Sequence, residues 1–249
     1  MKIEERLIVA LDFDSASDAL AMVGSLGETI SFYKVGLQLF LAGGMGIVQV
    51  LKQRGKRVFL DLKFHDIPSQ VASSCREAVR LGADMLTVHA LGGEEMIAAA
   101  VDASKAAATS MRRETPYVMA VTILTSLDED AVEQVGLGEG VQGSVARLAL
   151  LAARAGASGA VASPREIEVV KKAAGTTARR DFTLLTPGIR RSGERVDEQR
   201  RSLTPGEAIS KGADFLVVGR PITRSKDPKM VAESIIEEMR NASKERRQG

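Results

Sequence analysis

The segment VFLDLKFHDIP (58–68) holds the densest concentration of chemistry in the chain. Asp61 and Lys63 lie two residues apart in an apolar run, so an extended backbone puts both on one face. With Leu60 and Leu62 turned toward a helix layer, that face is an interior. A buried charge without a partner is costly, so the two must belong to a network or line a polar cavity. Lys34 is a third charge inside an apolar run, FYKVGL (32–37), and Asp66 closes the 58–68 segment's charged set. Two lysines alternating with two carboxylates can hold one ammonium ready as a proton donor. The competing reading of the same four residues is a structural ion-pair plug in the barrel interior.

A second group suits an anion. In TLLTPGIRRSGERVDEQRRSLTPGEA (183–208), Pro187-Gly188 makes a tight turn whose amides can face a phosphate, with Arg190 just beyond. Gly219-Arg220, at the end of the apolar run FLVVG (215–219), can complete such a grip. The Arg-rich stretch between Arg190 and Thr204 is long for a connection, which predicts a mobile lid. Asp12, His89, Thr125 and Ser163 also follow apolar runs. His65 and His89 are the chain's two histidines. They read better as hydrogen-bonded supporting residues than as ligands, although two histidines with carboxylates leave a metal site open.

The elements that must carry these residues repeat. Apolar runs at 6–12, 32–37, 57–63, 85–90, 117–124, 159–163, 182–188 and 215–219 are nearly continuous, which suits parallel strands covered on both faces. Amphipathic segments such as QVASSCREAVRL separate them, and several end on Gly (Gly55, Gly82, Gly156, Gly212) just before the next strand. LGADMLTVHA and KGADFLVVGR read as two copies of one helix–turn–strand junction. Eight such units in 249 residues predict an α/β fold, a single (β/α)8 TIM barrel over residues 1–240 with a polar tail at 241–249. No GxGxxG follows the first strand, which argues against an open doubly wound sheet. The chemistry then belongs at the C-terminal ends of the strands. Composition narrows the partners. Aromatics are 4% with no Trp and the net charge is +2, so no nucleic-acid platform is expected. No run approaches the ~20 apolar residues of a membrane span. The opening MKIEERLIVALD lacks a secretory leader pattern, and the expected location is the cytoplasm. With one cysteine, Cys75, neither an internal disulfide nor a Cys-based zinc site is possible.

From IVALD to VGRPIT the chain resembles the orotidine 5′-phosphate decarboxylase family, with DLKFHDIP and its D-x-K-x-x-D core as the most specific element and TPGIR and VGRPIT behind it. The resemblance implies release of CO2 from orotidine 5′-phosphate to give UMP, the last step of pyrimidine nucleotide synthesis, without cofactor or metal. Lys63 resembles the proton donor, set in an array with Lys34, Asp61 and Asp66. In the family that last residue typically reaches into the neighbouring subunit's site of a homodimer. Asp12 and Lys34 resemble the ribose-binding pair, Thr125 the residue near the pyrimidine, and Gln199 the lid residue bridging base and phosphate. Arg190, Gly219 and Arg220 resemble the phosphate grip, and Ile67 and Pro68 belong to the substrate-binding stretch. The family usually continues DIPNT, whereas here Ser69 and Gln70 follow, so the Gln70 amide replaces a Thr hydroxyl or that contact is left out. Two alternatives stand beside this. A metal-dependent sugar-phosphate decarboxylase shares the barrel and a similar D-x-K-x-x-D, and a non-catalytic nucleotide-binding regulator would keep the phosphate grip without needing Lys63.

Overall fold

The computed structural model describes residues 1–175, 177, 181–190 and 203–248. Each of the eight apolar runs forms a strand: β1 (Leu7–Ala10), β2 (Phe32–Gly36), β3 (Arg57–Phe64), β4 (Met85–His89), β5 (Tyr117–Val121), β6 (Gly159–Val161), β7 (Thr183–Thr186) and β8 (Phe215–Val218). They pair in parallel in chain order and close through β1 and β8, with Leu7 opposite Leu216 and Val9 opposite Val218. This is the single (β/α)8 barrel expected from the sequence.

Both faces of the sheet are covered, which explains the continuous apolar runs. Leu7, Val9, Tyr33, Val35, Val58, Leu60, Leu86 and Val88 pack outward against the helices. The alternate positions Ile8, Phe32, Phe59, Met85, Met119, Leu185, Phe215 and Val217 fill the barrel interior. Phe215 meets Phe32 and Tyr117 edge-on, with ring centroids 6.1 and 5.5 Å apart, so large rings plug the N-terminal half. Continuing the inward alternation toward the C-terminal ends gives Lys34 on β2, Asp61 and Lys63 on β3, and Thr87 on β4. The polar residues stand above the plug because strand parity puts them there.

Helices α1 (Ala16–Leu26), α2 (Leu37–Gln53), α3 (Pro68–Leu81), α4 (Gly93–Ser110), α5 (Glu129–Gln134), α6 (Gly140–Arg154), α7 (Ile167–Gly175), α8 (Pro205–Lys211), α9 (Arg220–Thr223) and α10 (Pro228–Gln248) form the outer layer. α3 shows why: Pro68 opens it, Val71, Cys75, Ala78 and Val79 bury one stripe, and Gly82 ends it in the left-handed conformation. Gly212 ends α8 the same way, at φ 107° against 109° for Gly82. The two similar sequence junctions are therefore one structural device. After each Gly-Ala comes an aspartate whose carboxylate accepts the amide of the second residue of the preceding strand: Asp84 from Val58 at 2.7 Å, Asp214 from Leu184 at 2.9 Å. Ser158 does the same for Val118 at 3.0 Å.

α10 continues through Gln248 with Ala242 in the core, so the residues after 240 extend a packed helix, where the sequence suggested a separate polar tail. LAGGMG (41–46) lies within α2, which kinks at Gly44. No helix among the described residues is long and apolar enough to cross a membrane.

Candidate active site

Register sets the charged line. Ala10 on β1 lies opposite Lys34, so Asp12, two residues further on, meets the Lys34 ammonium at 2.9 Å. Gly36 on β2 lies opposite Asp61, and a Cβ on Gly36 would stand 3.0 Å from Lys34 Nζ, so the missing side chain makes room for that ammonium. Lys34 Nζ is 3.6 Å from Asp61 Oδ2, and Lys63 Nζ is 2.9 Å from Asp61 Oδ1. Asp12, Lys34, Asp61 and Lys63 thus alternate in sign along the barrel mouth. Asp61 is the better shielded of the two carboxylates in this line, its side chain 12% exposed, and it lies between two cations, which offsets its desolvation.

Lys63 departs from regular strand geometry. Its φ is +50°, and the β3–β4 register shifts between Leu60 and Phe64. A non-glycine residue in this region costs on the order of 1–3 kcal/mol and persists only where its surroundings over-determine it. Here the Lys63 amide donates to Thr87 Oγ1 at 2.9 Å, and that hydroxyl donates to Asp61 Oδ1 at 3.0 Å. Thr87 is fully buried. It is absent from the residues singled out in the sequence, although the inward parity of Met85, Thr87 and His89 was the signal that could have found it.

Above the interior plug these groups open into a cavity of about 230 Å³. Lys34, Asp61 and Lys63 line one side; Thr125, Pro187, Gly188, Arg190 and Gly219 line another, with Ala10, Phe59, Val121, Ile123 and Val217 as apolar walls. The barrel therefore joins the charged line to the Pro187-Gly188 turn and Arg190 across one cavity with apolar walls, which suits a ligand that is polar at both ends. Arg220 opens α9 directly after Gly219. Ile189 bridges Leu203, and the Arg190 amide donates to the Leu203 carbonyl at 3.1 Å, which ties both ends of the 191–202 connection to the rim. Gln199 and the expected lid lie outside the described residues.

The structure does not bring the 66–70 stretch into this cavity. Asp66 is exposed and its Oδ1 accepts the Ile67 amide at 2.7 Å. Ile67 is 61% exposed, Pro68 begins α3, and Gln70 is exposed on its first turn. The within-chain array is therefore Asp12–Lys34–Asp61–Lys63, with Asp66 standing apart from it. His65 and His89 stack at 5.2 Å, and His89 Nδ1 accepts the Leu91 amide. Burial, then the neighbouring His65 and Lys63, hold the His89 imidazole down at about 4, so it is neutral at pH 7. Among the described residues no three His, Cys, Asp or Glu side chains converge as metal ligands.

Comparison with known proteins agrees with this geometry. Residues 5–235 match the family described as Orotidine 5′-phosphate decarboxylase / HUMPS family. The chain is 46% identical over 240 residues to the orotidine 5′-phosphate decarboxylase of Moorella thermoacetica, covering 96% of this chain and 94% of that one. It is 46% identical over 241 residues to that of Syntrophotalea carbinolica, covering 97% of each. Among solved structures, the orotidine 5′-phosphate decarboxylase of Lactobacillus acidophilus superposes with a TM-score of 0.83 at 36% identity, over 94% of this chain and 99% of that one. With the fold, the cavity and near full-length similarity in agreement, the chain belongs to the orotidine 5′-phosphate decarboxylase / HUMPS family, whose decarboxylase members are carboxy-lyases.

Proposed function

We propose that this protein converts orotidine 5′-phosphate to UMP and CO2, with Lys63 as proton donor and no metal or cofactor. The observation that carries the proposal is the pairing of Lys63 Nζ with a shielded carboxylate, Asp61 Oδ1, at 2.9 Å across the cavity from the Pro187-Gly188 turn. The phosphate sits on that turn with Arg190, Gly219 and Arg220, the ribose hydroxyls meet Asp12 and Lys34, and the pyrimidine lies toward Thr125. The bond between the sixth ring carbon and its carboxylate breaks, CO2 leaves, and the electron pair stays on the carbon. The Lys63 ammonium stabilises that pair and gives it a proton, and the neutral amine regains a proton from water. Asp61, 2.9 Å from the ammonium, keeps the donor aimed. Binding energy from the remote phosphate helps organise the site around the reacting end.

The carboxylates Asp12 and Asp61 each hold a lysine ammonium, an arrangement that repels a second cation and favours this reading over a metal-dependent sugar-phosphate decarboxylase. The presence of Lys63 in that array favours an enzyme over a non-catalytic regulator. A homodimer with shared sites, in which Asp66 serves the neighbouring subunit, is part of the proposal; the exposure of Asp66 just beyond β3 supports it.

CO2 release from orotidine 5′-phosphate with a chelator present tests the reaction. Wild type should turn over unchanged by the chelator, and Lys63→Ala should lose at least 10²- to 10⁴-fold in kcat. Loss of activity on chelation, or a Lys63→Ala variant retaining more than about a tenth of wild-type kcat, would overturn the assignment.

A further inference from the structure

Lys63 has two anchors in this site, one for its ammonium and one for its main chain, and both lead to Thr87. The hydroxyl of Thr87 has one proton to give and lone pairs to accept. It accepts the Lys63 amide at 2.9 Å and spends its proton on Asp61 Oδ1 at 3.0 Å. That same oxygen accepts Lys63 Nζ at 2.9 Å. The contacts close a ring that runs from the lysine's backbone through Thr87 and Asp61 to the lysine's own side chain. The backbone where the ring closes is irregular: among the described residues only Lys63 and Arg112 are non-glycine residues with positive φ, and the β3–β4 ladder slips at this point.

We infer that Thr87 is the positioning residue that sets the Lys63 backbone turn and the Asp61 carboxylate together, so that the ammonium is aimed into the cavity. This role rests on the decarboxylation proposed above. The hydroxyl is what matters. A valine at 87 has the same shape and would fill the fully buried position, yet it can neither accept the Lys63 amide nor donate to Asp61. The phosphate turn at Pro187-Gly188 comes from other strands and does not depend on position 87. Loss of the hydroxyl should therefore be felt in the chemical step and not in binding, because displacement of a catalytic group by about 1 Å can cost 10²-fold in rate.

Steady-state decarboxylation of orotidine 5′-phosphate by wild type, Thr87→Val and Thr87→Ser, with inhibition by UMP measured alongside, separates the outcomes. Thr87→Val should lose about 10- to 100-fold in kcat, with KM and the UMP inhibition constant held within about threefold. Thr87→Ser restores the hydroxyl and should return kcat to within about threefold of wild type. A crystal structure of Thr87→Val should show Lys63 leaving positive φ or its ammonium leaving Asp61. Thr87→Val with wild-type kcat, a serine variant as defective as the valine one, or an unchanged Lys63 in the valine structure would each overturn the role. If Thr87→Val does not fold, the serine variant decides alone: a tenfold loss of kcat there overturns it. A wild-type enzyme without turnover would instead overturn the decarboxylation beneath it.

Discussion

Single residues in this barrel take their chemistry from what surrounds them. Cys75 is buried on the inner face of α3, and burial pushes its thiol up to about 12, so it behaves as a small hydrophobe. His89 goes the other way. Its imidazole is held at about 4, chiefly by burial and then by the positive fields of His65 and Lys63. In an unfolded chain the same ring titrates near 6.5. The folded form therefore binds fewer protons than the unfolded one between those values. The stability this gives is complete above about pH 6.5 and is lost as pH falls toward 4. Urea unfolding at pH 7 and pH 5 should show wild type losing on the order of 1 kcal/mol more than His89→Gln, after allowance for solvent screening of a partly exposed ring. Equal losses in the two proteins would mean that His89 is charged in the fold.

At the scale of elements, the barrel is pinned at its N-terminal end by short polar staples. Asp84 accepts the Val58 amide at 2.7 Å and the Lys52 ammonium at 2.6 Å, so one carboxylate ties the α3–β4 turn to the start of β3 and the end of α2. These staples hold the strand register that, several residues later, brings Asp61 to the cavity. Asp84→Ala should cost about 2–3 kcal/mol, because it removes charge-assisted bonds and leaves a partly buried strand amide without a partner. In a chain of this size that corresponds to a melting temperature lower by roughly 5–10 °C. Asp84→Asn keeps an acceptor and should lose about half as much. Differential scanning calorimetry checks both, and kcat per folded molecule should not change. A variant that melts normally would show that the staple is dispensable.

For the molecule as a whole, completion of the site turns on Asp66. Asp66 lies outside the line Asp12–Lys34–Asp61–Lys63, next to the exposed Ile67 at the entrance to α3. If it serves a neighbouring subunit, Asp66→Asn and Lys63→Ala proteins, each nearly inactive, should complement on mixing. Each heterodimer would have one site with both defects and one with neither. With random exchange about half the dimers are heterodimers, so activity should rise toward about a quarter of wild type. Subunit exchange proven by mass-tagged protomers without recovered activity would place Asp66 in its own subunit's site.

The periodic information in the chain was enough for the frame. Eight continuous apolar runs, amphipathic segments between them and Gly-terminated junctions require strands buried on both faces, and alternation placed Asp61 and Lys63 inside. The motifs DLKFHDIP, TPGIR and VGRPIT carried the family resemblance and named the two sides of the cavity. Tertiary structure decided what lies between strands. Whether Asp12 or Asp66 pairs with the lysines depends on the β1–β2 register and on the path of the chain after β3, and neither is written in local spacing. The bulge at Lys63 and its support by Thr87 come from a slip between β3 and β4, where a hydroxyl from one strand replaces a ladder partner for another. Thr is an ordinary strand residue by propensity, so only the closing of the barrel, which sets Thr87 beside Asp61 across 26 residues of sequence, turns it from a filler into a support for the charged line.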